Sequence, residues 1–334
     1  MSDKAKVGFY WCASCGGCEE SVVDLAEEVL TVLDHVEIVF WPVAMDFKRS
    51  DVENMEDGEI FVTMINGAVR TSEQEEMAHL LRQKSKLIIA YGSCAHTGGI
   101  PGLANQFSSE EILQYIYHDA PTVTNHDSIR PQTNYKENGY EVELPQFRNR
   151  VKALDQVIDV DNYLPGCPPT PAILKKALFT LLEGDLPEKG AVLAPDLALC
   201  NECPRKESKP EEITFEEFKR PHEVKMDPEL CFLAQNVLCM GLATRGGCEA
   251  LCVNGNMPCG GCFGPLSEVE DQGAKVIASI GSTIKGLEES EIYEVLDTIP
   301  DPVGTFYRYA LPASLIKEKV SDTHSREKEK SGNE

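Results

Sequence analysis

The chain has 334 residues, 42% of them hydrophobic, enough for one large domain or two modest ones. Its formal net charge is −24, which argues against nucleic acid as a partner and against a polybasic membrane patch. Thirteen cysteines in a chain whose first residues, MSDKAKVGFYW, show no secretory signal read as metal or iron–sulfur ligands in a reducing cytoplasm. A disulfide framework does not fit that odd count and long chain.

In chain order, residues 1–185 alternate strands with helices. Val7 to Tyr10 reads as a short apolar strand followed by a cysteine-rich loop. Val22, Leu25, Ala26, Val29 and Leu33 then fall on one face at helical spacing, predicting one helix. Val36 to Trp41 and Glu59 to Ile65 read as strands. Thr71 caps a helix whose first turn carries Glu73 and Glu75 and which runs to about Gln83. Lys86 to Tyr91 reads as a buried strand and Val157 to Asp161 as another. Pro171 to Leu182 reads as a helix ending at Gly184. The pattern predicts an α/β domain, a doubly wound parallel sheet. Residues 119–150 interrupt the rhythm as a polar insertion, either an interface segment or a plain surface excursion.

Residues 186–316 change in style. Eight cysteines fall between 200 and 262 among Gly and Pro, predicting a small irregular ferredoxin-like domain held together by its ligands rather than by a large core. Residues 317–334 are charged and are expected to be disordered.

The N-terminal cysteines occupy loops after strands. Cys12, Cys15 and Cys18 follow the first strand, Cys94 follows Lys86 to Tyr91, and Cys167 follows the strand near 160. In an open parallel sheet such loops meet at one edge, where ligands bind. Four thiolates complete a 4Fe–4S cluster, so five cysteines compete for four positions. A cysteine at a strand end is more often a small buried hydrophobe than a ligand, which points to Cys12 as the spare, with Cys15 the other candidate.

Cys15-Gly-Gly-Cys18-Glu-Glu-Ser21, Gly92-Ser-Cys94-Ala, Gly98-Gly-Ile-Pro101 and Leu164-Pro-Gly-Cys167-Pro-Pro169 resemble the small subunit of nickel–iron hydrogenases. The resemblance implies a flavodoxin-like N-terminal domain, in keeping with the strand–helix pattern, and implies that Cys15, Cys18, Cys94 and Cys167 hold the cluster nearest a nickel–iron site in a separate large subunit. The related small subunit of respiratory complex I shares two of these loops, but it has adjacent cysteines in place of Cys15-x2-Cys18 and lacks a cysteine-rich C-terminal region.

The C-terminal spacing is Cys200-x2-Cys203-x27-Cys231-x7-Cys239-x8-Cys248-x3-Cys252-x6-Cys259-x2-Cys262. Eight thiolates fit two 4Fe–4S clusters. A four-thiolate zinc site from the two C-x2-C pairs would leave four cysteines idle. Spacing alone does not divide the eight. The resemblance does: it implies a distal cluster on Cys200, Cys203, Cys231 and Cys239 and a medial one on Cys248, Cys252, Cys259 and Cys262. Cys252 departs from the best-known family pattern and implies four irons where other members have three.

The stretches Cys239-Met-Gly-Leu-Ala-Thr-Arg245 and Cys259-Gly-Gly-Cys262-Phe-Gly-Pro265 resemble the cytoplasmic, methyl-viologen-reducing branch that does not reduce deazaflavin. This implies an electron relay with no catalytic residue of its own. Its partners would be a hydrogenase large subunit and a flavin or iron–sulfur acceptor of heterodisulfide-reductase type. A large-subunit homologue without nickel–iron is the alternative partner. Glu20, His96, Arg205 and Arg245 lie near the cysteines. Glu20 reads as a solvated first-turn carboxylate sooner than as a proton relay, His96 as a hydrogen-bonding neighbour of Cys94 rather than a ligand, and Arg205 and Arg245 equally as neutralisers of cluster charge or as surface salt-bridge residues.

Overall fold

The computed structural model describes residues 4–211, 215, 217–282 and 288–318, so most of the charged tail lies outside the described residues. In chain order the N-terminal half comprises β1 (Ala5–Trp11), α1 (Gly17–Val23), α2 (Glu28–His35), β2 (Val36–Phe40), α3 (Arg49–Glu53), β3 (Ile60–Asn66), β4 (Val69–Thr71), α4 (Ser72–Lys84), β5 (Ser85–Tyr91), α5 (Ser93–Thr97), α6 (Ser109–Gln114), β6 (Asn134–Glu137), β7 (Tyr140–Glu143), β8 (Phe147–Lys152), β9 (Asn162–Leu164) and α7 (Pro171–Leu182).

Five strands form one parallel sheet in the order β2-β1-β3-β5-β9. This is the flavodoxin-like order, with its switch point between β1 and β3. The strands are almost continuously apolar because both sheet faces are covered. Val7, Phe9, Val62, Met64, Ile89 and Tyr91 face one core with Leu174, Leu178 and Leu181 of α7. Phe40, Ile65, Ile88 and Ala90 face the opposite core with Ala78 and Leu81 of α4. Each fully buried side chain of this size contributes about 1.5–3 kcal/mol. A one-residue slip would exchange the two faces, so the register is strongly specified.

Two expected elements differ. The single helix from Val22 to Leu33 is two helices, because Ala26 adopts a left-handed φ of 51° and tight turns from Leu25 and Ala26 close α1. The apolar stripe survives the break, since Leu25 and Val32 are both buried in the same core. The strand expected at Val157–Asp161 lies instead at Asn162–Leu164. Val157 and Ile158 turn back onto the Leu154 carbonyl. The Asp161 carboxylate then accepts the Ile88 N–H at 2.7 Å, a bond that a strand carbonyl would otherwise make.

The polar insertion contains an exposed β6–β7 hairpin. Its end, β8, pairs with β4 and rejoins the fold. The C-terminal region contains α8 (Leu251–Asn254), α9 (Gln272–Gly281), α10 (Glu289–Asp297) and α11 (Pro302–Phe306) among irregular turns. It is not held by its cysteines alone. Phe215, Phe232, Leu233, Val276, Ile280, Val295, Phe306 and Leu311 form a separate apolar core.

Candidate functional site

The carboxyl ends of β1, β5 and β9 release the three N-terminal cysteine loops. Cys12 is still tied to the sheet: its N–H donates to the Asn66 carbonyl at 2.8 Å, and its side chain enters the core with Phe40 and Leu81. Burial alone pushes its thiol up to about 12; no other cysteine contributes.

The other four behave as a group. Burial raises the Cys18 thiol first, followed by the charges of Cys94, Cys167 and Cys15. Cys94 is pushed up to about 12 by burial, Cys167 and Cys15. Cys167 is raised by burial and then Cys15. The structure thus brings Cys15, Cys18, Cys94 and Cys167 into one electrostatic neighbourhood and leaves Cys12 outside it.

The loop backbone approaches these thiols closely. The Gly17 N–H donates to Cys15 Sγ at 3.4 Å. A Cβ on Gly92 would stand 2.4 Å from Cys18 Sγ, and one on Gly99 2.5 Å from Cys94 Sγ. Both glycines have positive φ, 83° and 56°, which other residues adopt at a cost.

Cys200, Cys203, Cys231 and Cys239 line one small cavity together with Arg205, Phe232 and Val253. Burial pushes Cys239 up to about 11, offset by the Gly241 and Cys259 N–H groups and reinforced by Cys200 and Cys231. Burial also raises Cys200, opposed by Lys209 and assisted by Cys203 and Cys231.

Among the remaining four, Cys248, Cys252 and Cys262 act on one another, whereas Cys259 stands between them and Cys239. Cys262 is pushed up to about 12 by burial, then by Cys167, Cys248 and Cys252. Cys259 is raised well above the usual thiol range by burial, then by Cys239, with a smaller push from Cys262.

The groups are linked in series. Cys262 feels Cys167 of the first set, and the Ser93 hydroxyl donates to the Cys262 carbonyl. The Cys259 N–H donates to Cys239 Sγ of the distal set at 3.4 Å. Glu202 carries both oxygens to the Gly247 N–H at 3.0 Å, tying the 200–203 loop to the 247–252 loop.

All thirteen cysteines are free of disulfides. Among the described residues no three His, Cys, Asp or Glu side chains close on a single metal ion. Cys200, Cys203, Cys231 and Cys239 line a cavity instead. Buried thiols that raise one another remain protonated unless another cation replaces the proton. Iron bound to thiolate supplies that charge, so the donor set fits an iron–sulfur group.

Residues 15–181 match the family model described as NADH ubiquinone oxidoreductase, 20 Kd subunit. The iron–sulfur subunit of the F420-non-reducing hydrogenase of Archaeoglobus profundus is 39% identical over 94% of this chain and 98% of its own length. The corresponding F420-non-reducing hydrogenase subunit of Methanothermobacter thermautotrophicus is 38% identical over 96% and 98%.

The chain belongs to the family of F420-non-reducing hydrogenase small subunits. The [NiFeSe] hydrogenase of Desulfovibrio vulgaris Hildenborough shares the fold at a TM-score of 0.51 and 17% identity, over 79% of this chain and 95% of that one. As a hydrogenase small subunit the chain is one part of an oxidoreductase whose active site lies in the large subunit.

Sequence reasoning weighed Glu20, which is exposed, and missed its neighbour. Glu19 of this hydrogenase subunit is buried, and its carboxylate accepts from Trp41 Nε1 and from Asn66 Nδ2 at 2.7 Å. Burial raises its pKa, and the two hydrogen bonds oppose that rise. The available signal was Trp41, whose indole N–H needs a buried acceptor. Tyr309 was also missed. Burial and the charges of Cys167, Cys262 and Cys252 raise its phenol above the usual range, which places it between the first and third thiol groups. His96 is not among the thiols' partners: it packs on Tyr163 at 4.8 Å and is pushed down to about 4 by burial and Arg245.

Proposed function

We propose that this chain is the electron-transfer subunit of a cytoplasmic nickel–iron hydrogenase. It relays electrons from dihydrogen oxidation in the large subunit, through three 4Fe–4S clusters, to an acceptor of heterodisulfide-reductase type. The observation that supports this reading is the run of thiols from Cys15, Cys18, Cys94 and Cys167, through Cys262 beside Cys167 and Cys259 beside Cys239, to the cavity of Cys200, Cys203 and Cys231.

Cys15, Cys18, Cys94 and Cys167 would hold the proximal cluster. Cys248, Cys252, Cys259 and Cys262 would hold the medial one, and Cys200, Cys203, Cys231 and Cys239 the distal one. When bound, each supplies a one-electron redox centre. The chain's own contribution is to fix their spacing and tune them through N–H···S contacts, burial and charge.

A cavity of about 420 Å³ beside Cys239 and Cys259 carries Lys219, Arg220, His222 and Arg308 on its walls. Asp301 also lines it and Glu217 pairs with Lys219 at 2.6 Å, so it is the cavity's place beside Cys239, not its charge, that supports an acceptor approaching from that side. No helix among the described residues is long and apolar enough to cross a membrane.

The test is purification with the native partner under anaerobic conditions. A partner with four nickel-ligating cysteines and dihydrogen-dependent reduction of methyl viologen is expected. A partner lacking those cysteines, in a complex inert to dihydrogen, would make the chain a relay adaptor and overturn the hydrogenase role.

A further inference from the structure

Two arginines of the C-terminal region are buried, and they differ in one respect. Arg245 is 2% exposed and faces a carboxylate, Asp196, at 2.9 Å. Arg205 is 4% exposed, and no carboxylate lies within ion-pair distance of it among the described residues.

All of its hydrogen-bond partners are neutral. Nη1 donates to the carbonyls of Asp227 at 3.2 Å and Leu230 at 3.1 Å. Nη2 donates to the Val253 carbonyl at 3.5 Å and to Asn256 Oδ1 at 2.6 Å. One face stacks on Phe232, 4.1 Å from the ring centroid. Dipoles solvate a cation but do not neutralise it, and a buried unpaired charge is costly. Arg205 also lines the cavity shared by Cys200, Cys203, Cys231 and Cys239. Four thiolates around a 4Fe–4S core leave a net negative charge in that place, and net charge is one of the determinants of such a cluster's potential.

We infer that Arg205 is the counter-charge of the distal cluster and holds its reduction potential up, so that this cluster is the preferred resting place of an electron leaving the chain. The inference rests on reading these four cysteines as a cluster site. A purely structural Arg205 would instead stitch the 227–230 turn to the 253–256 turn and leave the potential alone.

The experiment is redox titration of the whole purified complex, followed by the electron paramagnetic resonance of its reduced clusters. Arg205→Met should lower the potential of one cluster at least tenfold in its reduction equilibrium, 59 mV for one electron, and leave the other two in place. Arg205→Lys should retain most of the wild-type value.

Should Arg205→Met fail to assemble, Asn256→Asp tests the same point. It sets a carboxylate on the guanidinium with almost no change in shape, and Asp tolerates the left-handed φ of 58° found at this position. It should lower the same potential. Unchanged potentials with full iron content in either variant would overturn the inference. A wild-type complex that lacks iron in the C-terminal region would instead overturn the cluster reading on which it rests.

Discussion

Gly92 shows how little room the first thiol group leaves. A side chain there would collide with Cys18 Sγ and would have to adopt a positive φ. Gly92→Ala is therefore expected to lose about four irons per chain, measured by iron analysis of the purified complex. Cys12→Ser should keep its iron and cost about 1–3 kcal/mol of stability, because a hydroxyl would replace a buried thiol in an apolar core. Cys15→Ser should lose the proximal iron, read by the same analysis. The meeting of Cys15, Cys18, Cys94 and Cys167 at one sheet edge was legible from their loops, and so was the isolation of Cys12. Glu19 and Tyr309 were not legible. Burial of a carboxylate next to a cysteine depends on Trp41 and Asn66, which are distant in sequence. Arg205 was legible in sequence as a cluster counter-charge or a salt-bridge residue, with nothing to choose between them; its lack of an acid partner needs the three-dimensional arrangement.

At the scale of elements, apolar runs and caps located most of the sheet. Thr71 caps α4 as expected, accepting the Gln74 N–H, and α7 ends before Gly184, whose φ is 79°. The misses have local causes. A helical stripe does not reveal a break when the apolar positions continue beyond it, as they do across Ala26. Left-handed backbone costs a non-glycine residue about 1–2 kcal/mol. Glycine gives back part of that gain through unfolded-state entropy. Ala26→Gly should therefore stabilise the protein by about 0.5 kcal/mol, checked by denaturant midpoint at unchanged slope. β9 was displaced from its expected position because the Ile88 N–H is taken by the Asp161 side chain, while the Asp161 N–H donates to the Ile88 carbonyl.

At the scale of the molecule, the two sheet-facing cores and the separate C-terminal core mean that folding does not depend wholly on iron. Composition suggested a ligand-built second region because its apolar residues lack periodicity; in the structure they pack from irregular turns. Chelating the iron should leave the β1, β3 and β5 amides protected from hydrogen exchange while those of residues 200–262 lose protection. Equal loss across the chain would mean that iron supports the sheet as well. The central claim, three groups of four thiols holding three clusters in series, is tested most directly by counting iron and acid-labile sulfide in the anaerobically purified complex and titrating the reduced clusters. The arrangement predicts about 12 of each per chain beyond the large subunit's own metal, with every cluster reducible by dihydrogen. About four irons per chain, with zinc bound to the C-terminal cysteines, would contradict it.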